Sequence, residues 1–91
     1  MKYLTNDGNL ISAQVSLQTL TGKTERTLEI ALNGMSLFFT DEKGKTYFSK
    51  AASKMAIDAK AFRFIQKATE EFITKALTRQ NKLALLSEMT N

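Results

Sequence analysis

Residues 10 to 20, LISAQVSLQTL, alternate apolar and polar side chains, with Ile11, Ala13, Val15 and Leu17 on one side and Ser12, Gln14, Ser16 and Gln18 on the other. A period of two over this length predicts an extended strand with one buried face. The pattern recurs after Gly22, where Leu28, Ile30 and Leu32 alternate with Thr27, Glu29 and Ala31. Asn33-Gly34 is a strong hairpin signal because both residues tolerate positive φ, and MSLFFT follows it as a third strand. DEKG at 41–44 reads as another turn, with KTYFSK leaving it as a fourth strand. AASKMAID then supplies either a short strand around Met55 to Ile57 or a connector.

At Asp58 the period changes. Its carboxylate is a good N-cap, and Phe62, Ile65, Thr69, Phe72, Ala76 and Leu77 then recur at helical steps of three and four. The expected fold is α+β: four to five antiparallel strands over about 10–57, then one long helix over about 59–80. Residues 81–91 form a C-terminal extension with neither Pro nor Gly to stop the helix. One domain spans 1–91.

A chain of 91 residues buries only about 60 to 65 % of its unfolded surface, so a second subunit is the natural source of further stability. A helix of about 20 residues is about 30 Å long, more than one small sheet covers. Phe64, Ile73, Leu83, Leu86 and Met89 fall off the main stripe or beyond the sheet. A homodimer joined through this helix is expected, with Phe62, Ile65, Phe72, Ile73 and Leu77 building core and seam. The competing arrangement folds the tail back over its own sheet.

The sequence holds no Cys and no His, which removes disulfides, thiolate or imidazole metal sites and the usual near-neutral general base. Asp41-Glu42 and Glu70-Glu71 are adjacent carboxylates, but neighbours on a strand or helix point in different directions. The four glycines form no phosphate loop. The chain is expected not to be an enzyme, and to need no cofactor, metal or small-molecule substrate. It shows no apolar stretch of signal-peptide or membrane-span length, so the expected location is the cytoplasm, nucleoid-associated or in the host cytoplasm if phage-encoded.

Charge is segregated. Seven basic residues lie from Lys43 to Lys67 against one acid, Asp58, which suggests a surface facing a polyanion. The hairpin inside this segment is aromatic as well as basic. Strict alternation puts Phe38 on the face of Ser36 and Thr40, and Phe39 on the face of Leu37 and Met35. One ring is therefore expected in the core and the other on a ligand face, with Phe38 as the outward choice. Past the turn, Lys45 and Tyr47 share one face, Phe48 and Lys50 the other. Rings flanked by cations suit single-stranded DNA, with RNA as a further candidate: bases stack and lysines neutralise phosphates. Candidate phosphate contacts are Lys23, Arg26, Lys43, Lys45, Lys50 and Lys54; candidate stacking residues are Phe38, Phe39, Tyr47 and Phe48. Two bland alternatives compete, a solvated basic face and aromatics buried on both faces of the sheet. Duplex DNA fits less well, since no helix carries a row of base-reading Arg, Asn or Gln.

Three stretches resemble the transcriptional positive cofactor four family of coactivators. VSLQTLTGK at 15–23 is similar to that family's first strand and Gly-Lys turn, DEKGK at 41–45 to its acidic-Gly turn, and KMAIDAKAFRFIQKATEEF at 54–72 to its last strand, cap and helix. Together they cover roughly Val15 to Leu77 as scattered patterns. The resemblance implies a curved four-stranded antiparallel sheet followed by a helix that pairs in a homodimer. It further implies binding of unpaired DNA without sequence preference, in transcription, replication or recombination. Lys23 matches the turn lysine, Lys54 the basic residue before the last strand, and Phe38 or Phe39 the aromatic of the second strand. Leu20 stands where the family often has an aromatic, Asn33-Gly34 lies in a longer segment between Lys23 and Asp41, and the tail runs on from Thr78. A different class of function, a small protein-interaction module or inhibitor docking on an acidic partner surface, uses the same basic patch.

Overall fold

The computed structural model describes the backbone of residues 1–54 and 58–89, with side chains for all of these except Leu20, Ser53, Lys54 and residues 86–89. Among the described residues five strands, β1 (Lys2–Leu4), β2 (Leu10–Leu20), β3 (Lys23–Leu32), β4 (Met35–Asp41) and β5 (Thr46–Phe48), precede a 3-10 helix at Lys50–Lys54 and one long helix, α1 (Ala59–Met89). The strands form a single antiparallel sheet whose spatial order is the chain order. The expected α+β arrangement of sheet followed by helix is therefore present.

Short turns make this meander. Leu20 pairs with Lys23 and Leu32 with Met35, leaving two-residue loops. Asn33 and Gly34 both take positive φ, 50° and 84°, as the mirror-image hairpin turn requires. One strand of the five has no counterpart in the sequence pattern. It is β1, three residues that are too few to display a period; the strand suggested at 55–57 lies outside the described residues. The fourth strand is shorter than KTYFSK, reducing to Thr46–Phe48.

One irregularity decides which residues reach the core. Between β3 and β4 the register slips: Ile30 pairs with Phe38, yet Ala31 pairs with Ser36. Leu37 is the extra residue of a β-bulge, and a bulge breaks strict alternation. Leu37 and Phe38 consequently both turn inward, at 1 % and 8 % exposure. The expectation that Phe38 faces outward is thus corrected: it belongs to the core.

Helix α1 covers one face of the sheet. Asp58 caps it, accepting from the Ala61 N–H at 2.7 Å. Ala61, Ile65, Ala68, Phe72 and Ala76 form its buried stripe, and the three alanines let the helix backbone approach Ile11, Ala13, Leu28 and Ile30. Phe64 stacks on Tyr3 with centroids 5.6 Å apart, which ties β1 to the helix. Ile65 and Phe72 are buried as expected and Ile73 is half-buried, but Phe62 and Leu77 are exposed on the helix flank and take no part in this core. At 31 residues the helix is about 46 Å long and runs on to Met89, past the expected end at about residue 80. Arg79 forms an ion pair with Glu42, fastening the helix to the β4–β5 turn. No helix among the described residues is long and apolar enough to cross a membrane.

Candidate nucleic-acid interface

The β4–β5 hairpin is organised by a buried carboxylate. Asp41 Oδ1 accepts from the backbone N–H of Lys43 at 3.0 Å and of Lys45 at 2.9 Å, and Oδ2 accepts from the Tyr47 hydroxyl at 3.3 Å. A carboxylate satisfied by turn amides is an Asx-type cap, and it directs the Lys43 and Lys45 side chains to solvent, where both are exposed. An aspartate opening a Gly-containing turn is the sequence signal for this role, beyond the turn expected at 41–44.

On the sheet face away from α1, Phe39 and Tyr47 sit directly opposite each other across β4 and β5, both half-buried. The Lys45 ammonium lies 5.1 Å from the centroid of the Tyr47 ring, a cation–π distance. Phe39 is also opposite Glu29 of β3, whose carboxylate accepts from Gln14 Nε2 at 3.3 Å and Ser36 Oγ at 3.0 Å. Ser12, Gln14, Ser16 and Gln18 of β2 share this face by strand alternation. The open face therefore carries two rings and a lysine at one side and a ribbon of amides and hydroxyls beside them, interrupted by the carboxylates of Glu25 and Glu29. Nothing in the sequence pattern singles out Glu29, whose position opposite Phe39 becomes visible only from the strand register.

Phe38 and Phe48 pair across the same two strands on the helix side, with ring centroids 5.7 Å apart. Phe38 is buried, while Phe48 is 71 % exposed at the sheet edge. The four candidate rings are thus divided: Phe39 and Tyr47 on the open face, Phe38 and Phe48 on the covered one.

The candidate cations are divided too. Lys23, Arg26 and Lys43 gather around a shallow concavity of about 490 Å³, together with Leu17, Glu25, Glu42 and Gln80. Lys50 is exposed on the 3-10 helix; the Lys54 side chain lies outside the described residues. Lys60, Arg63 and Lys67 are exposed on α1, and their steps of three and four put them opposite the buried stripe of Ala61, Ile65 and Ala68. The basic segment from Lys43 to Lys67 is therefore two surfaces rather than one: a hairpin tip beside the open face and the outer face of the helix. Among the described residues, no group of three or more Asp or Glu is placed to hold a metal ion. No family model, curated protein or solved structure matches the chain.

Proposed function

We propose that this chain is a non-catalytic, homodimeric protein that binds single-stranded DNA without sequence preference, and that the open sheet face is its platform. What carries this reading is the Phe39–Tyr47 pair with the Lys45 ammonium over the Tyr47 ring. Rings on an uncovered sheet give unpaired bases a stacking surface worth about 1 to 3 kcal/mol per base. Lys45, with Lys43 and Lys23 toward the same end of the sheet, then meets the phosphates. An antiparallel sheet followed by a helix is also what the resemblance to the positive cofactor four family implies, though with four strands rather than five; members of that family serve transcription, replication or recombination.

A second reading is favoured by a specific placement. Lys60, Arg63 and Lys67 form a basic strip on the outer helix face, away from the aromatic pair, and such a strip suits an acidic protein partner. Titration of labelled oligo-dT and its duplex at about 50 and about 200 mM salt separates the two. The expected result is steeply salt-dependent binding that favours the single strand, weakened by Lys45→Ala and Tyr47→Leu. Binding that survives both substitutions but vanishes when Lys60, Arg63 and Lys67 become Gln overturns the open-face platform.

A further inference from the structure

We propose that the free edge of β2 pairs with the same edge of a second copy of this chain, joining two sheets about a two-fold axis. This rests on the homodimeric part of the proposed function and is independent of its DNA-binding part.

Strand β1 covers only the start of β2, from Leu10 to Ser12. One further pair extends it: the Met1 amine donates to the Ala13 carbonyl, and the Ala13 N–H to the Met1 carbonyl, each at 2.8 Å. Beyond that point no strand among the described residues lies alongside β2 on this side. An antiparallel strand turns both backbone groups of alternate residues to the same neighbour. The Met1–Ala13 pair therefore sets the phase, and Val15, Leu17 and Thr19 present their N–H and C=O groups to the empty edge.

Edges of this length are ordinarily guarded by charge, proline or a bulge. AQVSLQTL, residues 13–20, contains no charged residue and no proline, and the register of β2 on β3 is unbroken from Ile11 to Leu20. Val15 and Leu17 are 50 % and 68 % exposed on the helix side, and Val15 lines a cleft of about 300 Å³ between sheet and helix. The opposite edge of the sheet differs in its length and in the charges that flank it. Strand β5 has three residues, with Lys45 immediately before it and Lys50 shortly after.

The phase selects the pairing. Outward-facing residues must meet outward-facing residues, so odd positions pair with odd. Registers centred on Ser16 or Leu17 drive the partner's Thr21 and the end of its strand onto Met1. Centring on Gln18 clears Met1: Leu17 meets the partner's Thr19, and Thr19 meets the partner's Leu17, each exchanging both backbone hydrogen bonds. Gln18 faces its own copy. Because the segment is uncharged, self-pairing sets no like charges against each other. Its two-fold makes the contact isologous, so it closes at a dimer and does not propagate.

The absence of cysteine makes the test clean. Gln18 opposite itself is a non-hydrogen-bonded pair with Cα atoms about 4.5 Å apart, inside the disulfide range of about 4.4 to 6.8 Å. Full-length Gln18→Cys is expected to form a disulfide-linked dimer on mild oxidation, whereas Leu83→Cys, a probe of helix-to-helix pairing, crosslinks far more slowly. Leu17→Lys is expected to weaken the dimer at least about tenfold in sedimentation with unchanged circular dichroism. Leu17→Pro should do the same, since the N–H it removes faces the edge and not β3. A dimer that survives both Leu17 substitutions and crosslinks through position 83 overturns the edge pairing, as does a monomeric wild-type chain whose edge would then serve some other extended segment. A dimer linked through position 18 that fails to bind oligo-dT upholds it and overturns only the DNA-binding reading.

Discussion

Phe38 and Phe39 are neighbours in the chain and belong to opposite faces of the sheet. Phe38 sits between Ile30 and Phe48 under the helix, and Phe39 sits between Glu29 and Tyr47 on the open side. The covered face is a mosaic of Ala, Ile, Leu and Phe whose side chains interlock with the alanine stripe of α1. The open face is held by side-chain hydrogen bonds, Gln14 and Ser36 on Glu29 and Ser16 with Thr27, so its rings remain partly accessible. The covered face buries Phe38 for cohesion, and the open face keeps Phe39 and Tyr47 within reach of a ligand. Adjacent identical residues therefore differ in role because a bulge at Leu37 chose which one turns inward.

The largest test of this contrast is Phe38→Ala. Truncating a buried phenylalanine costs about 3 to 5 kcal/mol through lost burial and the cavity left behind, and a domain of this size holds roughly 5 to 15. Denaturant unfolding should show that loss, with oligo-dT affinity of the remaining folded protein unchanged. A stable variant that no longer binds would exchange the roles of the two rings. Next comes Asp41→Ala, which leaves the Lys43 and Lys45 amides and the Tyr47 hydroxyl without their acceptor. A loss of about 1 to 3 kcal/mol is expected by the same measurement, together with weaker oligo-dT binding because Tyr47 and Lys45 lose their fixed geometry. Unaltered binding would mean that the hairpin tip does not touch the strand.

These two residues also mark how far the sequence could be read. The alternation of 10–20 and of 27–32, the Asn33-Gly34 turn and the Asp58 cap follow from local chemistry, and each is found where local chemistry puts it. Phe38 was misassigned because a bulge is a property of two strands together, created where Ile30 and Ala31 choose partners that skip Leu37. The buried stripe of α1 keeps Ile65, Phe72 and Ala76 of the expected set but takes Ala61 and Ala68 in place of Phe62 and Leu77, since close helix-to-sheet contact rewards small side chains that a hydropathy pattern barely registers. Strand β1 gave no signal because three residues cannot show a period. At the candidate site, Tyr47 and Lys45 share a face by simple alternation and were legible. That Lys60, Arg63 and Lys67 lie on another side of the molecule from Lys45 was not, because charge counted along the chain ignores the direction in which each element presents it.

Phe39→Ala tests the open face as Phe38→Ala tests the covered one. Removing a stacking ring should lower oligo-dT affinity by about 1 to 3 kcal/mol and leave the salt slope in place, since no phosphate contact is lost. Lys45→Ala should instead flatten that slope by about one unit. If both substitutions change the slope alike, the ring is not stacking and the cation–π contact with Tyr47 is merely structural.

The smallest effect is the sharpest, because it concerns a residue that opposes the proposed ligand. Glu29 lies directly across from Phe39, and a carboxylate there repels a phosphate backbone that passes over the ring. Glu29→Gln keeps the shape and at least one of the bonds with Gln14 and Ser36 while removing the charge. Stability should change by no more than about 0.5 kcal/mol, as for most substitutions at partly exposed positions. Oligo-dT binding at low salt should tighten by about two- to threefold, an interaction of the size expected for a solvent-screened charge, and the gain should shrink as salt is raised. The same substitution is silent if the strand follows the outer helix face, where Lys60, Arg63 and Lys67 lie on the far side of the sheet from Glu29. An unchanged affinity at about 50 mM salt would therefore move the ligand off the open face, even if Phe39→Ala had weakened binding by disturbing the hairpin.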